Sequence, residues 1–138
     1  MARPPLDCWL AGRMNRDTVP SGPELRGWLV ERLKELVDHA RHGSPFYCRH
    51  LAGVRGADLD SLEDFAQLPM ITADHLRAKP DALLSVSRDD IERVVTLSSS
   101  GTTGEPKRIF HTADDLKATV DFFGWGMSNM VEPGGTAL

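Results

Sequence analysis

The sequence predicts an α/β fold: a helical N-terminal segment, then a strand, a small-residue loop, a second strand and a helix. Three features carry that prediction. Leu25, Trp28, Leu29, Leu33, Leu36, Val37 and Ala40 recur at helical spacing. Ile91-Glu92-Arg93-Val94-Val95-Thr96-Leu97 is β-branched and apolar, as a strand prefers. Directly after it, Ser98-Ser99-Ser100-Gly101-Thr102-Thr103-Gly104-Glu105-Pro106-Lys107 packs five hydroxyls, two glycines and a lysine into ten residues.

The elements follow in order. Residues 1–20 mix proline, arginine, aspartate and asparagine around Leu6, Trp9 and Leu10, and read as an N-terminal arm that docks through Trp9 or stays loose. Residues 21–90 form a helical segment. Ser21-Gly22-Pro23-Glu24 has the spacing of a capping box with an early proline, so a helix is expected over about 24–42, stopped by Gly43 and Pro45. A short helix is expected over Pro45 to Leu51. Ser61 starts another, closed by Pro69, and Thr72 caps a further turn through Leu76 and Arg77. Residues 91–138 then open an α/β subdomain. Arg108-Ile109-Phe110-His111 reads as the second strand, with Pro106 at its first residue or edge because proline lacks an N–H. Thr112 caps a helix in which Leu116, Val120, Phe123, Met127 and Met130 step by four, three, four and three. Pro133-Gly134-Gly135 end it, and Thr136-Ala137-Leu138 look like the opening of another strand. Sheets of two or three short strands are marginal without further cover, so the chain reads as truncated.

The loop at 98–107 has the chemistry of a polyphosphate cradle. Glycine permits backbone geometries closed to other residues and lets a ligand approach closely. Amides and hydroxyls donate to anionic oxygens, and the lysine adds positive charge. The spacing is not that of the Walker loop, because Pro106 precedes Lys107 and Arg108 follows it. The plainer alternative, a solvated turn between two strands, does not account for the whole pattern.

Charge and composition narrow the classes. A net charge of −4 with scattered basic residues gives no reason to expect nucleic acid or an acidic membrane surface. No apolar run approaches a membrane span, and the N-terminus lacks the apolar core of a secretory signal, so the cytoplasm is the default location. Cys8 and Cys48 are too few and too far apart for a disulfide framework or a thiolate metal site.

Residues 99–107, Ser-Ser-Gly-Thr-Thr-Gly-Glu-Pro-Lys, resemble the phosphate-loop signature [ST]-S-G-[ST]-T-G-x-P-K of adenylate-forming enzymes. Upstream, Ser44-Pro45-Phe46-Tyr47-Cys48-Arg49-His50-Leu51, Leu62-Glu63-Asp64-Phe65-Ala66-Gln67-Leu68-Pro69 and the segment from Thr72 to Leu76 resemble the N-terminal region of the phenylacetate–CoA ligase branch. That branch also contains deazaflavin-adenylating synthetases. The resemblance runs from about Leu25 to the end of the chain.

It implies an ATP-dependent ligase that joins a carboxylate to AMP, releases pyrophosphate and passes the acyl group to coenzyme A. Carried over position by position, Ser99, Ser100, Gly101, Thr102, Thr103, Gly104 and Lys107 hold the β- and γ-phosphates, with Lys107 and Thr103 as the residues of catalytic weight. Donors placed there stabilise charge that grows on the departing pyrophosphate. Glu105 departs from the lysine often found at that variable position, which removes one positive charge. The Mg²⁺-binding glutamate, the ribose-binding aspartate and the adenylating lysine of such enzymes are expected beyond residue 138, so residues 1–138 alone are expected to be inactive.

Other side chains have plainer readings. His39 and His42 lie three apart on a helix but lack a third metal ligand at suitable spacing, so no metal site is assigned. Cys48 and His50 lie near each other, but without an Asn or Asp arrangement they suggest no nucleophile. Arg108 offers a further phosphate contact, although an outward strand position is its default. His111 ends the second strand. Phe122, Phe123 and Trp125 could line an acyl pocket, with helix packing against the sheet as the default. Gly124 and Gly126 cost about 1 kcal/mol each in a helix, which suggests close packing against a neighbour. Three alternatives to the acyl-CoA ligase stay open: a non-catalytic nucleotide-binding or interaction module, a small protein that binds ATP as an effector, and a deazaflavin-adenylating synthetase. The expected partners are a small-molecule carboxylate, ATP and coenzyme A, with neither nucleic acid nor membrane. The oligomeric state is open, a homodimer included.

Overall fold

The computed structural model describes residues 5–97 and 106–127. Most of the loop (98–105), the last apolar step of the final helix at Met130, its expected end at Pro133-Gly134-Gly135 and the strand opening at 136–138 lie outside the described residues. The chain divides into two units, one of residues 1–28 with 114–138 and one of residues 29–113.

In the first unit the N-terminal segment is more ordered than its composition suggests. Helix α1 spans Pro5–Arg13. Asn15 takes a left-handed conformation at φ 56° and closes it. The Arg16 N–H reaches the Ala11 carbonyl at 2.9 Å and the Asn15 N–H reaches Gly12 at 3.1 Å, the paired bonds of a Schellman stop. The Trp9 indole N–H donates to the Asp121 carboxylate at 2.6 Å, and its ring meets Phe122 edge-on at 5.4 Å. Asp121 and Phe122 lie on helix α6, Ala113–Met127. Much of the apolar surface of α6 is exposed: Val120, Phe122, Phe123, Trp125 and Met127 are each at least 40% accessible. A Cβ added at Gly124 or Gly126 would meet nothing within 4 Å, so the close neighbour inferred from sequence is absent among the described residues.

Helix α2 spans Gly22–Gly43. Its start departs from a full capping box. The Glu24 carboxylate accepts both the Ser21 N–H at 2.8 Å and the Ser21 hydroxyl at 2.7 Å, and Arg16 pairs with the same carboxylate at 2.7 Å. The buried positions on α2 are Val30 and Val37. Of the stripe read from periodicity, Val37 is buried and Leu25, Trp28, Leu33 and Ala40 are half-buried, while Leu29 and Leu36 are exposed, Leu36 at 59%.

In the second unit Val37, Leu51 and Leu59 form the buried cluster, with Tyr47, Val54, Phe65 and Leu68 packed against it. Short helices surround it: α3 (Pro45–His50), α4 (Leu62–Ala66) and α5 (Ala73–Ala78). Each begins at a hydroxyl cap. Ser61 and Asp64 form a reciprocal box that starts α4. The Ser61 hydroxyl and neighbouring amides hold Asp64 below the ordinary carboxylate range. Thr72 and His75 form the equivalent box at α5, His75 Nδ1 accepting the Thr72 N–H at 3.1 Å. Gly56 opens the 3₁₀ turn Gly56–Asp58 against α2. A Cβ there would collide with the Lys34 carbonyl oxygen, and the Gly56 N–H donates to the Asp38 carboxylate at 2.8 Å.

Strands β1 (Ile91–Leu97) and β2 (Lys107–Thr112) pair antiparallel, with a bulge between Ile91 and Arg93. Pro106 stands just before β2, where its missing N–H costs no ladder bond. Helix α5 and the 3₁₀ turn Pro80–Leu83 pack against β2, which gives this two-stranded sheet some of the cover it needs.

Two outcomes are expected. Gly43→Ala drives a Cβ into the Ser85 carbonyl and lowers stability by about 1–3 kcal/mol. Gly124→Ala, with open space around it, raises stability by up to about 1 kcal/mol. Denaturant melts of both variants check the contrast. The second outcome concerns pH. The amide and hydroxyl of Ser21, with Arg16, pull the Glu24 pKa from 4.5 down to about 2. Its contribution is complete above pH 4.5 and fades as pH falls toward 2. Melting temperatures across that window should flatten in Glu24→Gln.

Candidate functional site

The site is built where β1 ends and β2 begins. In register, Leu97 faces Lys107 and Thr96 faces Arg108. Successive strand residues alternate faces, so Thr96 and Arg108 share one face while Leu97 and Lys107 share the other. Of the loop residues singled out in the sequence, Lys107 is described and stands half-buried at the first position of β2. Ser99, Ser100, Gly101, Thr102, Thr103 and Gly104 lie outside the described residues.

On the Thr96–Arg108 face a cavity of about 760 Å³ opens between the hairpin end and the segment from Arg77 to Ala82. Arg77, Lys79 and Arg108 bring three cations to its wall, and Asp81 brings one carboxylate. That carboxylate is already engaged by Arg88, whose guanidinium also lies 5.9 Å from the centre of the Phe110 ring. Arg77 pairs with Asp74 at 3.1 Å, but Asp74 is 90% exposed and the pair is screened by water. The Nε of Arg77 is buried and has no hydrogen-bond partner among the described residues. Lys79 and Arg108 are exposed at this wall.

The wall is positioned by Ser44. This side chain is 1% exposed. Its hydroxyl accepts the Tyr47 N–H at 3.2 Å, capping α3, and donates to the Ala82 carbonyl at 2.8 Å. One oxygen therefore fixes both a helix start and the turn that carries Lys79 to Ala82. Reading the sequence missed Arg77, Lys79 and Thr96 as site residues. The available signal was the pair of basic residues just before Pro80, which shares a cavity with Arg108 only because α5 and the Pro80–Leu83 turn pack against β2.

The other sequence candidates have local roles. His42 Nδ1 donates to the Asp38 carbonyl at 2.6 Å, the last turn of its own helix. His50 Nε2 donates to the Pro69 carbonyl at 3.0 Å, and its ring stacks on Phe46 at 4.9 Å. Cys8 and Cys48 are free and exposed. Among the described residues no group of three or more His, Cys, Asp or Glu side chains could hold a metal ion, and no helix is long and apolar enough to cross a membrane.

Helices around a small antiparallel hairpin, with basic side chains gathered where β1 ends and β2 begins, define a mixed α/β segment. The chain is 39% identical over 104 residues to the phenylacetate-coenzyme A ligase of Thermus thermophilus, a match covering 73% of this chain and 23% of that protein. It is 38% identical over 99 residues to the enzyme of the same name from Aromatoleum evansii, covering 70% and 22%, and 33% identical over 96 residues to that of Escherichia coli, covering 67% and 22%. No protein-family model matches the chain. Over the matched residues the chain belongs with the phenylacetate–coenzyme A ligases. It spans a little over a fifth of the length of these relatives.

Ser44→Ala should uncap α3 and leave the Ala82 carbonyl without its donor, lowering stability by about 1–3 kcal/mol. Equilibrium unfolding in urea measures that loss. Because Ser44 holds the cavity wall, hydrogen exchange at residues 80–84 should accelerate in the same variant.

Proposed function

We propose that this chain is a segment of an AMP-forming carboxylate ligase that activates its acid as an acyl-adenylate and transfers it to coenzyme A. The observation that carries the reading is the identity to proteins named phenylacetate-coenzyme A ligase, in a chain whose residues 99–107 keep the phosphate-loop pattern. The substrates in this reading are a small carboxylic acid of the arylacetic kind, ATP and coenzyme A.

Within that reading the loop between β1 and β2 does the phosphate work. Ser99, Ser100, Thr102 and Thr103 supply hydroxyl donors, and Gly101 and Gly104 let backbone amides approach the β- and γ-phosphates. Lys107 adds a fixed cation at the base of the loop. Its place at the first residue of β2, paired across the sheet with Leu97, supports the role, because pairing fixes the backbone from which the lysine stem extends at the base of the loop. The donor set suits a polyphosphate. ATP bound there supplies the electrophilic α-phosphorus and the pyrophosphate leaving group, and the protein's donors stabilise the charge that leaves. Magnesium would be held by residues outside 1–138.

In the intact ligase, Lys107→Ala should lower the rate of carboxylate-dependent pyrophosphate release by about 100-fold, and Thr103→Ala by about tenfold, since removing one charge-stabilising donor typically has effects of this order. Pre-steady-state pyrophosphate release measures both. Unchanged kinetics would remove the loop from the mechanism. Residues 1–138 by themselves should release no pyrophosphate in response to a carboxylate.

A further inference from the structure

We propose that the cavity beside the hairpin is a second anion site, taking a phosphate group through Lys79 and Arg108 with Arg77 alongside. The inference comes from this cavity alone and does not need the loop's proposed role. Three cations line the wall against a single carboxylate, Asp81, and that carboxylate is neutralised by Arg88. The protein as a whole is acidic, at −4, so this local excess of positive charge is not a general surface property. In a concave wall such an excess focuses field lines and draws multiply charged anions.

Three cations around one cavity suit a multiply charged phosphate better than a singly charged carboxylate. Arginine presents a planar fork suited to two phosphate oxygens, and lysine acts as a point charge beside it. Arg108 is held by its cross-strand pairing with Thr96, whose hydroxyl stands on the same wall. Arg77 brings a guanidinium whose Nε is buried without a partner among the described residues. A dianion arriving at this wall would meet three cations that lack a buried counter-charge. The volume of about 760 Å³ admits a phosphorylated nucleoside as readily as a free diphosphate. Lys107 lies on the opposite face of β2 and takes no part.

The test is an NMR titration of the ¹⁵N-labelled protein at low salt, run in parallel with inorganic pyrophosphate and with adenosine 3′,5′-bisphosphate. The Arg77 and Arg108 Nε–Hε signals should move together on binding. The double variant Lys79→Ala/Arg108→Ala should weaken the Kd at least tenfold without changing Tm, because both side chains are exposed. The charge-keeping Lys79→Arg should retain most of the affinity. Tighter binding of the bisphosphate supports the site with a nucleotide phosphate as its source, and tighter binding of pyrophosphate supports it with a free diphosphate. No shift of the arginine signals with either probe, or an unchanged Kd in the double variant, overturns the proposal. Shifts confined to amides of residues 98–105 also overturn it, while leaving the loop's role in the ligase reading intact.

Discussion

The Ser44 hydroxyl is the constraint on which the second unit turns. It sits where α2 has just ended and α3 begins, and the chain cannot bury an unpaired hydroxyl there without penalty. Both of its hydrogen-bonding capacities are used, one toward Tyr47 within the helix and one toward Ala82, 38 residues away. Gly43 makes the approach feasible, because any Cβ would collide with the backbone of Ser85. The end of α2, the start of α3 and the 80–83 turn are thereby fixed to one another by small residues. The turn inherits its position from that knot. Its upstream neighbour α5 is set independently by the Thr72–His75 box. The segment that walls the cavity is thus held from both ends.

Hydroxyl caps take on this much responsibility because the apolar core is small. Among the described residues only Val37, Leu51 and Leu59 form the buried cluster of the second unit. Helices of five or six residues are too short to persist by propensity, so each depends on a specific start signal and on packing. The exposed ion pairs, Arg32 with Glu35 or Arg55 with Asp58, are screened by water and add little. Stability in this unit rests on small buried contacts, and small losses at Ser44, Ser61 or Gly56 are correspondingly large fractions of it.

What could be read from the sequence was what depends on near neighbours. Ser61, Thr72 and Pro45 announced helix starts three or four residues long in influence, and the structure places helices there. The change at Ile91 announced a strand, and Pro106 announced where its partner begins. Helix α1 escaped notice because Leu6, Trp9 and Leu10 are too sparse for periodicity, and Asn15 gave a stop signal with no recognised helix before it. Most of the stripe on α2 reads correctly, but Leu36 and Val30 are equally apolar on paper. Only the tertiary neighbours decide which of them is covered. Gly56 and Gly124 show the same limit from both sides. One is hemmed in by a backbone 22 residues away and the other faces open space, although the letters are identical.

The consecutive cations Lys107 and Arg108 illustrate how a strand separates two tasks that a loop would merge. In an irregular segment both side chains could swing toward one anion. Pairing with Leu97 and Thr96 forbids that, because alternation sends adjacent residues to opposite faces. Lys107 is left at the base of the Ser/Thr/Gly connection, and Arg108 is delivered to the wall shared with Lys79 and Arg77. A shift of register by one residue would exchange the two, placing the lysine in the cavity and the arginine behind it. The bulge between Ile91 and Arg93 sits upstream of this end and absorbs one residue of β1, so the register at Thr96 and Leu97 is set by the pairing beyond it. The distribution of positive charge at the hairpin end is consequently a property of strand pairing, and it would survive conservative changes in either cation more readily than an insertion in β1.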